Sequence, residues 1–226
     1  MPNTPFSIAI DGPAGAGKST IAKALAGELG AMYLDTGAMY RAFGLYMLRK
    51  GRVNDTRAVA ASVDEVDITV EFRDGAQHIL LGGEDVTRAI REPEVSMAAS
   101  SVSAVPEVRE RMVALQRKIA EGHSVIMDGR DIGTKVLPDA TLKIYLTASA
   151  EERARRRWRE LEEKGMPEPY DHVLRDMLNR DFQDTNRAAS PLRPADDAVR
   201  VDTSKLTLEQ SVAEMKRLAL EAIARA

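Results

Sequence analysis

Gly12-Pro13-Ala14-Gly15-Ala16-Gly17-Lys18-Ser19 fills the spacing G-x-x-x-x-G-K-[ST] in full, and residues in that order can cradle an anion. Glycines let the backbone wrap tightly, so that successive N–H groups and the start of a following helix point at one phosphate. In such a loop Lys18 reaches the β- and γ-phosphates of a nucleotide, and Ser19 holds Mg²⁺ through its hydroxyl. The flanks supply the required context. Phe6-Ser7-Ile8-Ala9-Ile10 is a β-prone run ending at Asp11, and Ile21, Leu25 and Leu29 recur every four residues up to a stop at Gly30. Strand, glycine loop and helix make a chance glycine turn the weaker reading.

A phosphate loop leaves the reaction open, because GTPases, ATPase motors and small-molecule kinases share it. The chain has no N-K-x-D, no D-x-x-G and no apolar strand ending in Asp-Glu. Asp128, at the end of the apolar run Ser124-Val125-Ile126-Met127, is the nearest acidic strand end and could steer Mg²⁺ through a water. Arginines in loops are more distinctive. Arg41 follows Asp35-Thr36-Gly37-Ala38-Met39-Tyr40, Arg130 sits between Asp128 and Asp131, and Arg180 and Arg187 flank Asp184. Open α/β sheets bind ligands at the carboxyl ends of their strands, which puts Arg41 and Arg130 on the rim of the phosphate loop. Arginine forks suit bidentate phosphate recognition, so together they suggest a second phosphate site; singly, each also reads as a surface ion pair. Arg153, Arg155, Arg156, Arg157 and Arg159 crowd seven residues. They read either as a solvated helix laced by pairs such as Glu152 with Arg156, or as a lid lowering arginines onto a transferring phosphoryl group, with Gly165 and Pro167 as its hinge.

The whole chain is compatible with that chemistry. It has 226 residues, 32 Lys+Arg against 35 Asp+Glu, no Cys and three His. This excludes a disulfide framework, a thiolate metal site and a cysteine nucleophile, and argues against a dedicated nucleic-acid binder. No apolar run is long enough to span a membrane, and the opening Met1-Pro2-Asn3-Thr4-Pro5 lacks the order of a secretory signal, so a cytoplasmic protein is expected. Further strands are predicted at Ala31–Leu34, Thr141–Leu146 and Ala198–Val201. Further helices are predicted over Met39–Lys50, Pro106–Glu121 and Asp171–Asn186, and after two capping-box spacings, Ser149 with Glu152 and Thr207 with Gln210. Alternation at Ile68, Val70 and Phe72, the turn Asp74-Gly75, and Ile79 and Leu81 before Gly82-Gly83 describe an antiparallel insert. The expected fold is α/β: a three-layer P-loop fold with a roughly five-stranded parallel sheet, helices on both faces, a small antiparallel β insert and a helical lid. A single domain is expected over residues 1–226, with the insert at about 63–96 and the lid at about 149–166.

Ile10 through Ser19, Asp35 through Arg41, Asp128-Gly129-Arg130-Asp131-Ile132-Gly133, Gly82-Gly83-Glu84-Asp85-Val86-Thr87, the Arg153–Gly165 stretch and Asn186-Arg187-Ala188 occur in an order that resembles the bacterial cytidylate kinases. The resemblance covers nearly the whole chain. It implies transfer of a phosphoryl group from ATP, with Mg²⁺, to CMP or dCMP. Gly12, Pro13, Ala14, Gly15, Ala16, Gly17, Lys18, Ser19 and Thr20 would hold the ATP phosphates. Arg41, Arg130 and Arg187 would hold the acceptor phosphate, and Thr36 and Tyr40 belong to the same acceptor run. Ser100, Arg109 and Asp131 would read the cytosine, and Arg180 and Asp184 would meet the ribose. Lys18, Arg130, Arg153, Arg157 and Arg187 would be catalytic. Thr36 stands where Ser is also common in the family, and the hydroxyl is kept.

The chemistry fits without a general base. A phosphate monoester is largely ionised near pH 7, its second pKa being about 6, so His78, His123 and His172 are expected to be structural. Small-molecule substrates, no nucleic-acid or membrane partner, and a monomer are expected. Two alternatives remain at this stage: a kinase of another acceptor such as UMP or AMP, and a nucleotide-binding regulator that hydrolyses slowly or not at all.

Overall fold

The computed structural model describes residues 4–226; Met1-Pro2-Asn3, part of the segment read above for a secretory signal, lies outside the described residues. The chain divides into two compact units, one formed by the chain up to Ala31 together with Ser124–Ala226, the other by Met32–His123. The strands β1 (Ser7–Asp11), β2 (Met32–Asp35), β6 (Val125–Gly129), β7 (Leu142–Thr147) and β8 (Val199–Asp202) make a five-stranded sheet in the order β2-β6-β1-β7-β8.

In the first unit β1 pairs in parallel with β6 and β7, and β7 with β8. All five residues of β6 and the last four of β1 are buried, the continuous apolar run that a strand covered on both faces requires. The register sets Asp11 opposite Gly129. As a result the phosphate loop and the Arg130-Asp131 turn leave neighbouring strands side by side. Helix α1 (Lys18–Leu29) begins at Gly17 and ends at Gly30, both left-handed. Helices α6 (Ala150–Glu163) and α7 (Tyr170–Asn186) bury Ala154, Leu161, Val173 and Met177 between them, with Trp158, Tyr170 and Leu174 packed alongside. Helix α8 (Leu208–Ile223) starts at a complete capping box, Thr207 and Gln210 each bonding the other's backbone. At Ser149 only half of the expected box forms. Its Oγ accepts the Glu152 N–H, while the Glu152 carboxylate turns outward to Arg155 and Arg156.

The second unit holds α2 (Thr36–Arg49), α3 (Thr56–Ala61), α4 (Pro93–Val102) and α5 (Pro106–Ala120), with β3 (Ile68–Arg73), β4 (Ala76–Leu81) and β5 (Glu84–Asp85) as a separate antiparallel sheet inside the 63–96 span. Helix α2 begins three residues before the periodicity signalled, because the Asp35 carboxylate caps it by accepting the Ala38 N–H at 2.9 Å. Asp55 likewise caps α3 through Ala58, a helix too short for an apolar period to reveal. Gly44 lets α2 and α4 cross closely: a Cβ there would lie 2.9 Å from Ala99 N. Among the described residues no helix is long and apolar enough to cross a membrane.

Candidate active site

In the phosphate loop Gly12, Gly15 and Gly17 have φ of 150°, 72° and 86°, angles that residues with a Cβ rarely adopt. The buried Lys18 ammonium folds back to donate to the Pro13 carbonyl at 2.7 Å. Burial, and then the Arg130 charge, pull its pKa down to about 7 against the opposing pull of Asp128, Asp11 and Asp184. Ser19 Oγ donates to Asp128 Oδ2 at 2.8 Å, so a hydroxyl and a carboxylate meet beside the loop.

Arg153 forms the wall of that loop. Buried, it donates to the Ala14 carbonyl at 3.0 Å and the Ala148 carbonyl at 2.9 Å, and grips Asp181 with both terminal nitrogens, at 2.6 and 3.2 Å. Arg155, Arg156 and Arg157 of α6 are paired along their own helix or near it. Arg155 and Arg156 meet Glu152, Arg156 also donates to the Thr203 carbonyl, and Arg157 meets Glu160. The Glu152–Arg156 pair of the solvated-helix reading is therefore present, and Arg153 departs from that reading.

Two further carboxylates act on Lys18. Asp11 accepts the Ile132 N–H at 2.8 Å and the Gly133 N–H at 2.7 Å, tying the end of β1 to the single π-helical turn that follows Asp131. Burial raises its pKa to about 6 even though those two N–H groups lower it. Asp11→Ala is expected to strand both N–H groups and to cost about 2–3 kcal/mol; a chemical denaturation midpoint equal to wild type would contradict this pinning. Asp184 takes Arg130 Nε on Oδ2 at 2.7 Å and faces Arg187 Nη1 from Oδ1 at 3.6 Å. Burial pushes the Asp184 carboxyl up, but Arg130, and then Arg187 and Arg180, outweigh it and hold the group below its usual value. Arg130, Arg180, Asp184 and Arg187 thus form one cluster, and Asp128 and Asp181 also act on Arg130. Arg187 is further held by the Ser190 carbonyl at 2.7 Å.

In the second unit Asp35 is buried, and its Oδ2 receives Arg41 Nη2 at 2.8 Å and Arg91 Nη2 at 3.1 Å. Burial raises the Asp35 pKa, and Arg41 and Arg91 more than reverse it, leaving it low. A Cβ at Gly37 would sit 3.2 Å from both Arg41 Nη1 and Asp35 Oδ1, so that glycine keeps room for the guanidinium. Arg109 is 4% exposed, lies over the Tyr40 ring at 5.4 Å and donates to the Ser103 carbonyl. Helical periodicity placed it only at the flank of the Val108 face; the ring and the carbonyl are two of its contacts inside. Ser100, on α4, donates back to the Ser96 carbonyl at 3.4 Å, and Thr36 is buried at the start of α2.

Asp11, Asp181, Arg91 and Gln77 were not singled out from sequence. Asp11 lay one residue before the glycine motif, but its partners are N–H groups 121 and 122 residues away. Among the histidines, His78 faces Asp85 on the small sheet and His172 faces Glu168.

The family model described as Cytidylate kinase matches residues 8–221. A cytidylate kinase of Caldicellulosiruptor saccharolyticus is 51% identical over 214 residues, 94% of this chain and 95% of that one. One from Desulfitobacterium hafniense is 55% identical over 208 residues, 92% and 89% of the two chains. An uncharacterized protein from Eubacterium ventriosum, 13% identical, shares the fold at a TM-score of 0.52 over 94% of this chain and 96% of its own. With a match over nearly its whole length and relatives at about half identity, this chain belongs to the cytidylate kinase family.

Proposed function

We propose that this protein transfers the γ-phosphoryl group of ATP to CMP or dCMP, giving ADP and CDP or dCDP. The observation that carries the reading is the pairing, within one unit, of a phosphate loop with the Arg130–Asp184–Arg187 cluster. A second anion site on the rim of the first is what an acceptor that is itself a phosphate needs. A GTPase or motor, whose acceptor is water, needs none.

Gly12 to Thr20 hold the ATP phosphates, and Lys18 exchanges the Pro13 carbonyl for phosphate oxygens. Ser19 and Asp128 offer two hard oxygen donors, a set that suits Mg²⁺, which keeps waters and shares substrate phosphates. Bound there, Mg²⁺ would neutralise charge on the phosphates. Arg41, Arg130 and Arg187 hold the acceptor phosphate, already an anion near pH 7, so orientation replaces proton abstraction. Arg153 shapes the loop, and Arg157, exchanging Glu160 for phosphate, serves as the lid's clamp over residues 149–166. On the residue-by-residue resemblance, Asp131, Ser100 and Arg109 read cytosine, with Thr36 and Tyr40 beside them, and Arg180 and Asp184 meet the ribose. A carboxylate accepts from cytosine's amino group, which uracil lacks. The protein acts in the cytoplasm as a monomer.

A panel of nucleoside monophosphates with coupled detection of ADP tests this. CMP or dCMP is expected to exceed AMP in kcat/KM by ~10³ or more, and Asp131→Ala should erode that preference while leaving the KM for ATP within about twofold. Equal use of AMP and CMP by the wild type would remove the cytosine assignment. Absence of any phosphorylated acceptor at saturating substrates would favour a regulator.

A further inference from the structure

The small antiparallel sheet has no part in the chemistry above, yet one of its side chains reaches the residue that holds Arg41. Gln77, the second residue of β4, accepts the Asp35 N–H through Oε1 at 2.7 Å and donates Nε2 to the Asp35 carbonyl at 3.2 Å. Both backbone groups of one residue are thus held by one side-chain amide, which mimics a strand partner. That residue is the one whose carboxylate holds Arg41 and Arg91 and caps α2.

Geometry makes Asp35 a hub. Oδ1 is engaged by the helix cap and Oδ2 by two guanidinium groups, so a rotation of the Asp35 backbone would displace Arg41 directly. Arg41 has limited freedom of its own. Its Nε is buried and makes no hydrogen bond among the described residues, and Gly37 marks the narrow space its terminal nitrogen occupies. Arg91 lies on a short 3₁₀ turn (Ala89–Arg91) directly after the sheet. The insert therefore touches the hub twice, through Gln77 from inside a strand and through Arg91 on the turn that follows the last strand.

We infer that Gln77 is a positioning residue for Arg41, and that the antiparallel sheet acts as a brace for the arginine that receives the acceptor phosphate. The inference rests on the reading of Arg41 as an acceptor-phosphate ligand, and it assigns the insert a task in acceptor binding rather than in ATP binding. Gln77 itself touches no substrate. Its effect passes through Asp35.

A double-mutant cycle tests this, with KM for CMP and for ATP read separately from kcat. Gln77→Ala is expected to raise the KM for CMP about fivefold, the scale of one or two neutral hydrogen bonds, and to leave the KM for ATP within about twofold. Arg41→Ala alone is expected to raise the KM for CMP ~100-fold, as loss of a charge-assisted contact would. In the Arg41→Ala background, Gln77→Ala should add nothing. Gln77→Met keeps the length of the side chain and removes both bonds, so the same fivefold rise is expected; it also carries the test should the alanine variant melt early. A full fivefold rise from Gln77→Ala in the Arg41→Ala background would overturn the brace, because Gln77 would then act by another route. A rise in both KM values together would overturn it as a general loss of structure. An Arg41→Ala enzyme with unchanged KM for CMP would instead remove the acceptor reading of Arg41, and the brace with it. If Arg41→Ala behaves as expected and Gln77→Ala does not, the brace alone fails.

Discussion

Lys18→Met is expected to lower kcat by ~10³, the scale of removing one preorganised donor from a charge-developing site, with a smaller effect on the KM for CMP. The variant is also expected to be more stable than wild type at pH 7 in the absence of nucleotide. Burial and Arg130 bring the Lys18 pKa from 10.5 down to about 7, so the unfolded chain holds this proton more tightly than the folded one. The cost of burying the charge is complete below about pH 7 and fades as the pH rises towards 10.5. Methionine removes that cost and keeps the stem. Linkage gives the same site a second signature. Phosphates brought beside Lys18 raise its pKa again, so ATP binding by the wild type at pH 8 should take up a fraction of a proton. Calorimetry in two buffers of different ionisation enthalpy reads that uptake, which Lys18→Met should abolish. Turnover within tenfold of wild type, or unchanged proton uptake, would contradict the role given to this lysine.

Gly12→Ala is expected to be the most damaging small substitution in the chain. Gly12 has φ of +150°, and an added Cβ would lie 1.9 Å from the Leu146 carbonyl oxygen and 3.0 Å from its carbon. Leu146 belongs to the sheet, so no flexible side chain can yield; β1 and β7 would have to part. Overpacking and backbone strain together suggest about 3 kcal/mol or more, a fall in Tm of roughly 6–12 °C for a chain of this size, with loss of ATP binding. Gly27 makes the contrast. It lies in α1 with nothing within 4 Å of the added Cβ and without a positive φ, so Gly27→Ala should stabilise by about 0.5–1 kcal/mol. Two glycines fifteen positions apart should then respond with opposite sign, and differential scanning calorimetry of the two variants decides it. Equal Tm values would show that the sheet accommodates the clash.

These two positions mark how far the residues themselves announce the site. Lys18 and Gly12 stand in a contiguous motif whose geometry is local: turn, loop and helix start are all set by neighbours in sequence. The parallel strands were legible for a related reason, since burial on both faces leaves an unbroken apolar run such as Val125-Ile126-Met127. Arg153 stood out with Arg157 only through the family resemblance; by pattern alone nothing in the cluster separated it from Arg155 or Arg157. Asp181 and the Ala14 carbonyl do that, and they come from other elements.

By itself, then, the amino-acid sequence determined the phosphate loop, the α/β alternation, the presence of an antiparallel insert and, through ordered motifs, the family. Only the tertiary structure decided which carboxylates serve the arginines. Asp184 for Arg130 and Arg187, Asp35 for Arg41 and Arg91, Asp181 for Arg153, and Asp11 for two backbone N–H groups are all chosen by burial and by contacts that are mostly distant along the chain. A carboxylate carries the same charge wherever it stands in a sequence. Its partners depend on which charges and N–H groups the fold removes from water beside it, and that is a property of three dimensions.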